Sequence, residues 1–244
     1  DIKRLKEISK RFDVDVMLDN CENTFGTYAG KNVSSFFTST TSTYFGHQIQ
    51  SVEGGFIFTN SKQEYEYFLM ARNHGLTRSL KDCASFRNEN VDAQFDFFLL
   101  GNNFRNTDIN AFIGLLDLKR IDKIKNTREK LYSIYLNELK NKMGLSLPTP
   151  LRGHSPFCLP ILCNTAEQKS LLLDYCKENK IETRPIISGN LLKQSCYCAF
   201  ADPLLFPNSE RLHTHGFYVG LHAHVKKSQV KKLSSYVNKI LHEK

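Results

Sequence analysis

The first nineteen residues constrain the fold more than any other stretch of this chain. Ile2, Leu5, Ile8 and Phe12 recur at helical spacing in a charged background, so residues 2–12 predict an amphipathic helix. VDVMLDN follows at once, an apolar run too short for a helix, ending on Asp19 and Asn20. A helix feeding a short apolar strand is the step from which α/β sheets are built. The strand is expected to be buried. A parallel sheet around it needs earlier strands than this sequence holds, so the chain reads as starting in the middle of one.

Further along, SSFFTSTTSTYF predicts a strand or extended loop, and EGGFIFTN a strand entered through a Gly-Gly turn. KQEYEYFLMARNHG predicts a helix closed by Gly75. Residues 79–100 mix polar and aromatic side chains and predict an irregular excursion, its DAQFDFFLL aromatics packing in a core or a dimer interface. A long helix is expected from Thr107 to about Lys142, then a Pro/Gly linker, LSLPTPLRG. Beyond it FCLPILC and IETRPII predict strands, and AEQKSLLLDYCKENK and SQVKKLSSYVNKIL helices. This pattern divides the chain into 1–125 and 126–244.

With 244 residues and 41% hydrophobic content the chain can bury a substantial core. No apolar run approaches the length of about 18 residues that spans a bilayer, and no membrane partner is expected. The charged N-terminus lacks the apolar stretch of a secretory signal. Seven irregularly spaced cysteines predict reduced thiols in a cytoplasmic protein. The net charge of +8 sits on lysines scattered over helix patterns such as KRIDKIKNTREK and HVKKSQVKKL. That predicts a solvated surface suited to a phosphorylated small substrate, with no nucleic-acid partner. His213, His215, His222 and His224 come without ligand-spaced cysteines or carboxylates, so no metal site is expected. Cys196 and Cys198 read as buried or incidental thiols.

Three segments can carry chemistry. An acid such as Asp19 at the end of a strand faces the crevice where α/β sheets bind ligands. STYFGHQIQSVEGG places hydroxyls at Ser39 to Thr43, then His47, then a Glu53-Gly54-Gly55 turn, and hydroxyls beside tight turns can hold phosphate. GNNFRNTDINA joins a polar loop to a helix that Thr107 can cap, with amides free for an anion.

With Arg72-Asn73-His74-Gly75 and Gly101-Asn102-Asn103-Phe104-Arg105, these segments resemble the DegT/DnrJ/EryC1/StrS sugar aminotransferases in order and spacing. LDNCENTFGTYAGK matches that family's acid followed by a Gly-Lys pair, and weaker similarity runs on through IETRPIISGNLLKQ. The resemblance implies an α/β, aspartate-aminotransferase-like fold of the pyridoxal-phosphate fold type I. Residues 1–125 would be a truncated large, cofactor-binding domain with a mixed, mostly parallel sheet. Residues 126–244 would be a linking helix and a smaller C-terminal α/β domain, and the family's first third is missing. It also implies pyridoxal 5′-phosphate or pyridoxamine 5′-phosphate as cofactor and a homodimer with shared active sites.

Carried onto this sequence, the family pattern has Asp19 pair with the cofactor's pyridine nitrogen, where a fixed negative charge keeps the ring protonated. Glu22 lies over the ring, Ser42 holds the phosphate, and Asn103 reaches the phosphate of the neighbouring subunit. Arg78 takes the carboxylate of glutamate, the amino donor. Beside that pattern, Tyr44, three residues before His47, either lines the same pocket or only packs, and Arg184 either reaches an anion in the site or makes a surface salt bridge. His47 stands where the family has its Schiff-base lysine. An imidazole cannot make that bond, but it can act as general base and acid. Two branches of the family carry histidine here, and both are 3-dehydratases of nucleotide-linked 4-keto-6-deoxyhexoses. One of them bears an iron–sulfur cluster on a Cys-x-Cys-x-x-Cys motif, whereas RNHGLTRSLKDCASF offers Cys83 alone. The chain therefore resembles the branch acting on GDP-4-keto-6-deoxymannose, a lyase of 3,6-dideoxysugar and O-antigen biosynthesis. Two other readings stand beside it: a nucleotide-sugar aminotransferase of the same family, and an inactive fragment or non-catalytic remnant.

Overall fold

Asp1 starts the first helix, α1 (Ile2–Phe12), by accepting the Arg4 N–H at 3.2 Å. Lys10 and Arg11 suit its carbonyl end. The computed structural model describes residues 1–82, 84–86, 88–139, 145–147 and 152–242, which divide into two compact units, Asp1–Ile121 and Asp122–Lys244.

In the first unit β1 (Met17–Asp19) follows α1, and a small hairpin of β2 (Thr27–Tyr28) and β3 (Lys31–Asn32) comes next. β4 (Thr38–Ser42) pairs in parallel with β1 and antiparallel with β5 (Gly55–Phe58), so the sheet is mixed and ordered β1-β4-β5. Burial of β1 is not observed: Met17 is 59% exposed and the strand alternates exposed, intermediate, exposed. Its apolar side chains lack a covering layer among the described residues, and it has a paired neighbour on one edge only.

α2 (Lys62–Ala71) is capped by Ser61, whose side chain accepts the Glu64 N–H. Past its end, His74 and Gly75 take left-handed backbone (φ 60° and 85°), and the Gly75 N–H returns to the Met70 carbonyl at 2.8 Å. A Cβ on Gly75 would collide with the Leu99 carbonyl, so the sharp turn demands glycine. The aromatic run that follows is not core: Phe95, Phe97 and Phe98 are all more than half exposed, although Phe98 sets its ring edge-on to Phe86.

The single long helix expected from Thr107 is two, α3 (Asp108–Leu118) and α4 (Ile121–Leu139). Thr107 does cap the first, accepting the Asn110 N–H at 3.3 Å. The break lies at Lys119 and Arg120, where the Arg120 N–H tightens onto the Asp117 carbonyl at 2.9 Å. The Asp117 carboxylate is drawn to the Arg120 guanidinium and to the Gln50 N–H, 3.0 Å away. Residues 140–142, and Cys83, lie outside the described residues.

The second unit is built on an antiparallel sheet. β6 (Leu145–Ser146), β7 (Cys158–Cys163), α5 (Ala166–Glu178), β8 (Thr183–Arg184), α6 (Pro207–His215), β9 (Gly216–Gly220) and α7 (Lys227–His242) follow in order, with strands arranged β6-β7-β9-β8. Period-two alternation turns Leu159, Ile161 and Cys163 of β7 and Phe217 and Val219 of β9 inward, where they meet Leu172 and Cys176 of α5 and Val230, Leu233 and Val237 of α7. Burial pushes the Cys163 and Cys176 thiols up to about 11. Cys196 and Cys198 are instead exposed.

IETRPII yields only the two strand residues of β8. Pro185 removes a donor, and Ile187, Ser188 and Gly189 take left-handed backbone in succession (φ 38°, 60° and 73°), which no strand can continue. β9 has no counterpart in the sequence reading. No helix among the described residues is long and apolar enough to cross a membrane.

Candidate active site

Parallel pairing sets Asp19 opposite Thr40, so the carboxylate, Thr40 and, two residues on, Ser42 share one face of the sheet. The chain turns directly after Asp19: the Asn20 N–H returns to the Thr40 carbonyl at 3.0 Å and the Asn20 side chain donates to Ser34 Oγ at 2.9 Å. The Cys21 N–H then reaches back to Asp19 Oδ1 at 3.1 Å. The Cys21 thiol and its N–H, with smaller help from Thr40 and from the charge of His47, hold the Asp19 carboxyl below its ordinary value. It is ionised at neutral pH and lies exposed at the end of the strand. Glu22 is shifted the other way, first by desolvation and then by the negative charge of Asp19.

The opposite face of β4 is closed by hydroxyls. Ser39 and Thr41 are buried, and Thr41 Oγ1 meets Thr24 Oγ1 at 2.7 Å. Where β4 ends, Ser42 Oγ accepts the Tyr44 N–H at 3.1 Å. The His47 N–H donates to the Tyr44 carbonyl at 2.9 Å, and the two rings meet edge to face with centroids 5.6 Å apart. The base of this loop is clamped: Ser51 Oγ donates to Thr43 Oγ1 at 2.6 Å, and the Thr43 N–H donates to the Gly54 carbonyl at 2.9 Å. Gly54 has φ 145°, and a Cβ there would run into Thr43 and Asn106. Asn110 holds the turn from α3, donating to the Glu53 carbonyl at 2.9 Å. Gln48, 1% exposed, joins the two loops by accepting the Phe25 N–H at 3.3 Å.

The structure thus gathers Asp19, Glu22, Ser42, Tyr44 and the half-buried His47 around the ends of two adjacent parallel strands. The remaining residues named from sequence are engaged elsewhere. Asn103 bridges Asn73 and accepts the Arg105 Nε at 2.9 Å. Arg78 is exposed, donates to the Gln94 carbonyl at 3.3 Å and lies over the Phe95 ring. Arg184, in the second unit, grips Glu182 Oε1 through Nη2 at 2.7 Å and Nε at 3.0 Å. Three residues with positioning roles went unread in the sequence: Thr40, Cys21 and Gln48. Thr40 belongs to the hydroxyl run that drew notice, but its place beside Asp19 follows from strand register. Cys21 and Gln48 leave no sequence signal beyond adjacency to Asp19 and His47.

Residues 1–238 match the sequence profile of the DegT/DnrJ/EryC1/StrS aminotransferase family. The chain is 26% identical over 249 residues to the GDP-4-keto-6-deoxy-D-mannose 3-dehydratase of Yersinia pseudotuberculosis, covering 98% of this chain and 63% of that protein. Its structure is similar to that of E. coli GDP-4-keto-6-deoxy-D-mannose-3-dehydratase with bound hydrated PLP (TM-score 0.84, 25% identity, 98% of this chain and 63% of the other). It is also similar to a GDP-4-keto-6-deoxymannose-3-dehydratase with a trapped PLP-glutamate geminal diamine (TM-score 0.84, 26% identity, 96% and 64%). The chain therefore spans less than two thirds of the length of these relatives.

Proposed function

The chain belongs to the DegT/DnrJ/EryC1/StrS aminotransferase family, and from that premise we propose that it works in the removal of the C3 hydroxyl from a GDP-linked 4-keto-6-deoxyhexose, with pyridoxamine or pyridoxal 5′-phosphate as cofactor and glutamate as amino donor. The observation that carries this reading is His47: an imidazole, not an amine, stands in the loop between Ser42 and the Glu53-Gly54-Gly55 turn, close enough for its charge to act on Asp19.

The residues fit such a cofactor. Asp19 is a carboxylate kept ionised by Cys21 and Thr40 at an open strand end, which suits a protonated ring nitrogen. Ser42 offers a hydroxyl on the same face that would hold the phosphate, and Glu22, beside Asp19, would lie over the ring. When bound, the cofactor supplies an electron sink for the sugar carbon beside the ketone.

The rest falls to this chain's side chains. His47 takes up a proton as base and, now charged, delivers a proton to the departing C3 hydroxyl. The edge contact with Tyr44 limits where the imidazole can turn, and the Ser51–Thr43 clamp fixes the loop beneath it. Tyr44 contacts the sugar nucleotide, and Arg78 takes the glutamate carboxylate. Asn103 completes the phosphate site of a second copy in a homodimer. Buried, unpaired thiols at Cys163 and Cys176 suit a cytoplasmic setting.

Mass spectrometry of GDP-4-keto-6-deoxymannose incubated with the protein, pyridoxamine phosphate and glutamate tests the proposal. A deoxygenated keto sugar with release of ammonia is the expected product. His47→Lys should lower that rate by about 100-fold or more and make the cofactor fixable to the chain by borohydride, which leaves the parent unlabelled. A 4-amino sugar with its C3 hydroxyl retained would assign the aminotransferase reading instead. A protein that neither binds pyridoxamine phosphate nor turns over would leave the non-catalytic one.

A further inference from the structure

The basic surplus of this chain is concentrated where two helices of the second unit begin. Along α4, Lys123, Asn126, Thr127 and Lys130 recur at three- and four-residue intervals and share one face. The acids of that turn of helix, Asp122 and Glu129, sit roughly 100° further round the axis. α7 opens with Lys227, preceded by Lys226, and residues 222–242 contain no acid. With Leu131 and Val225, these residues enclose a groove of about 620 Å³, lined by four lysines and no carboxylate. Its size lies inside the range of small-molecule sites, about 300–1,000 Å³.

The lysines crowd one another. The charge of Lys130 is the first cause holding the Lys227 ammonium below its ordinary value, and Lys231 adds to it. Among the described residues none of the four lining lysines forms an ion pair with a carboxylate. The N-terminus of the sixteen-residue α7 adds the positive end of its dipole. Like charges held this close favour an anion of high charge density between them, because each unit of negative charge relieves repulsion as well as gaining attraction.

We propose that the groove binds a compact diphosphate, seated between Lys130 and Lys227 and flanked by Lys123 and Lys226. Free pyrophosphate and the diphosphate of a nucleotide present the same chemistry to it. Concavity and size favour it over an extended polyanion. A membrane surface or a duplex needs a long basic face, whereas here Asp122 and Glu129 border the α4 lysines and Lys232 is turned to Asn179 Oδ1 at 2.8 Å.

Isothermal titration of the whole chain with inorganic pyrophosphate, and separately with GDP, tests this against three variants. Lys130→Gln/Lys227→Gln should weaken pyrophosphate binding on the order of tenfold or more without lowering the melting temperature, since it removes a repulsion. Lys125→Gln, on the far side of α4, should leave affinity unchanged. Ser42→Ala, in the other candidate phosphate site, should also leave it unchanged. Equal affinity for pyrophosphate and GDP, both weakened in the double lysine variant, supports recognition of the diphosphate alone; tighter GDP that is weakened in the same variant supports a nucleotide as its carrier. Undiminished pyrophosphate binding by the double lysine variant overturns the proposal. So does loss of all binding in Ser42→Ala, or binding to anionic vesicles or duplex DNA with none to pyrophosphate.

Discussion

The two units of this chain are held together by different forces. Among the large side chains buried most completely in the described residues, Leu139, Leu159, Ile161, Leu172, Phe217, Val219, Leu221, Leu233, Val230 and Val237 lie in the second unit, and Met70 and Gln48 in the first. The first unit instead buries hydroxyls and amides: Thr24 against Thr41, Ser51 against Thr43, Gln48 against the Phe25 N–H, Asp117 against the Gln50 N–H. Many of its large apolar side chains stand open, with Phe56 at 52%, Ile57 at 49%, Ile109 at 73% and Phe112 at 63% exposed, beside a few buried ones such as Met70 and Leu76. A hydrophobic core tolerates small errors of direction, because its attraction is non-directional. A hydrogen-bonded interior does not, because its strength falls steeply with angle and distance. The unit that carries Asp19 and His47 is therefore the one whose geometry is set by directional bonds.

That contrast can be broken by mutation. The largest effect is expected from Phe217→Ala, which empties a site 1% exposed at the centre of the second unit's sheet and should cost about 3–5 kcal/mol. Hydrogen-exchange mass spectrometry should show faster exchange through β7, β9 and α7 while β4 keeps its protection. Equal loss in β4 would mean that the two interiors unfold as one, and the distinction would fail. Thr41→Val should cost less, about 1–3 kcal/mol, by leaving the buried Thr24 hydroxyl without its 2.7 Å partner. Its effect should be confined to β4 and the loop after Asp19. If it proves neutral, the polar interior is not what secures the first unit.

The same contrast governs what the sequence could reveal. β7 and α5 were legible because the short apolar run FCLPILC and the helical pattern of AEQKSLLLDYCKENK are local signals. β4 and β5 were legible through β-branched residues and the Gly-Gly turn. The break between α3 and α4 was not, because it depends on Asp117 reaching Gln50, a partner distant in sequence. Nor was the exposure of β1, since an apolar strand reads as buried whether or not a neighbouring layer covers it. β9 was hidden by its terminal glycines and the histidines that precede and follow it. At the site, the spacing of Asp19, Ser42 and His47 was legible because family likeness acts along the chain. Thr40, Cys21 and Gln48 were not, because strand register and loop contacts create their roles. The grip of Glu182 on Arg184 was open to sequence reasoning, since residues two apart line one face of a strand.

The smallest expected effect tests the site's electrostatics. Asp19 has a folded pKa below its unfolded value of about 3.9, for the Cys21 and Thr40 contacts and the charge of His47 favour the carboxylate. Its contribution is therefore fully present above the unfolded value and is lost as pH falls through the lowered folded one. Glu22 has the opposite sign. Desolvation and the charge of Asp19 raise it, so its ionisation opposes folding above the raised value, and that penalty disappears as pH falls towards the unfolded value of about 4.3. Melting temperatures followed from about pH 2 to 7 should separate the two. Asp19→Asn should flatten the acid limb, and Glu22→Gln should raise stability near neutrality. Because Asp19 is exposed, solvent screening keeps its part small. A parent curve whose acid limb is unchanged by Asp19→Asn would mean that the Cys21 contacts do not hold the carboxylate in solution, and the fixed charge on which the cofactor assignment rests would lose its support.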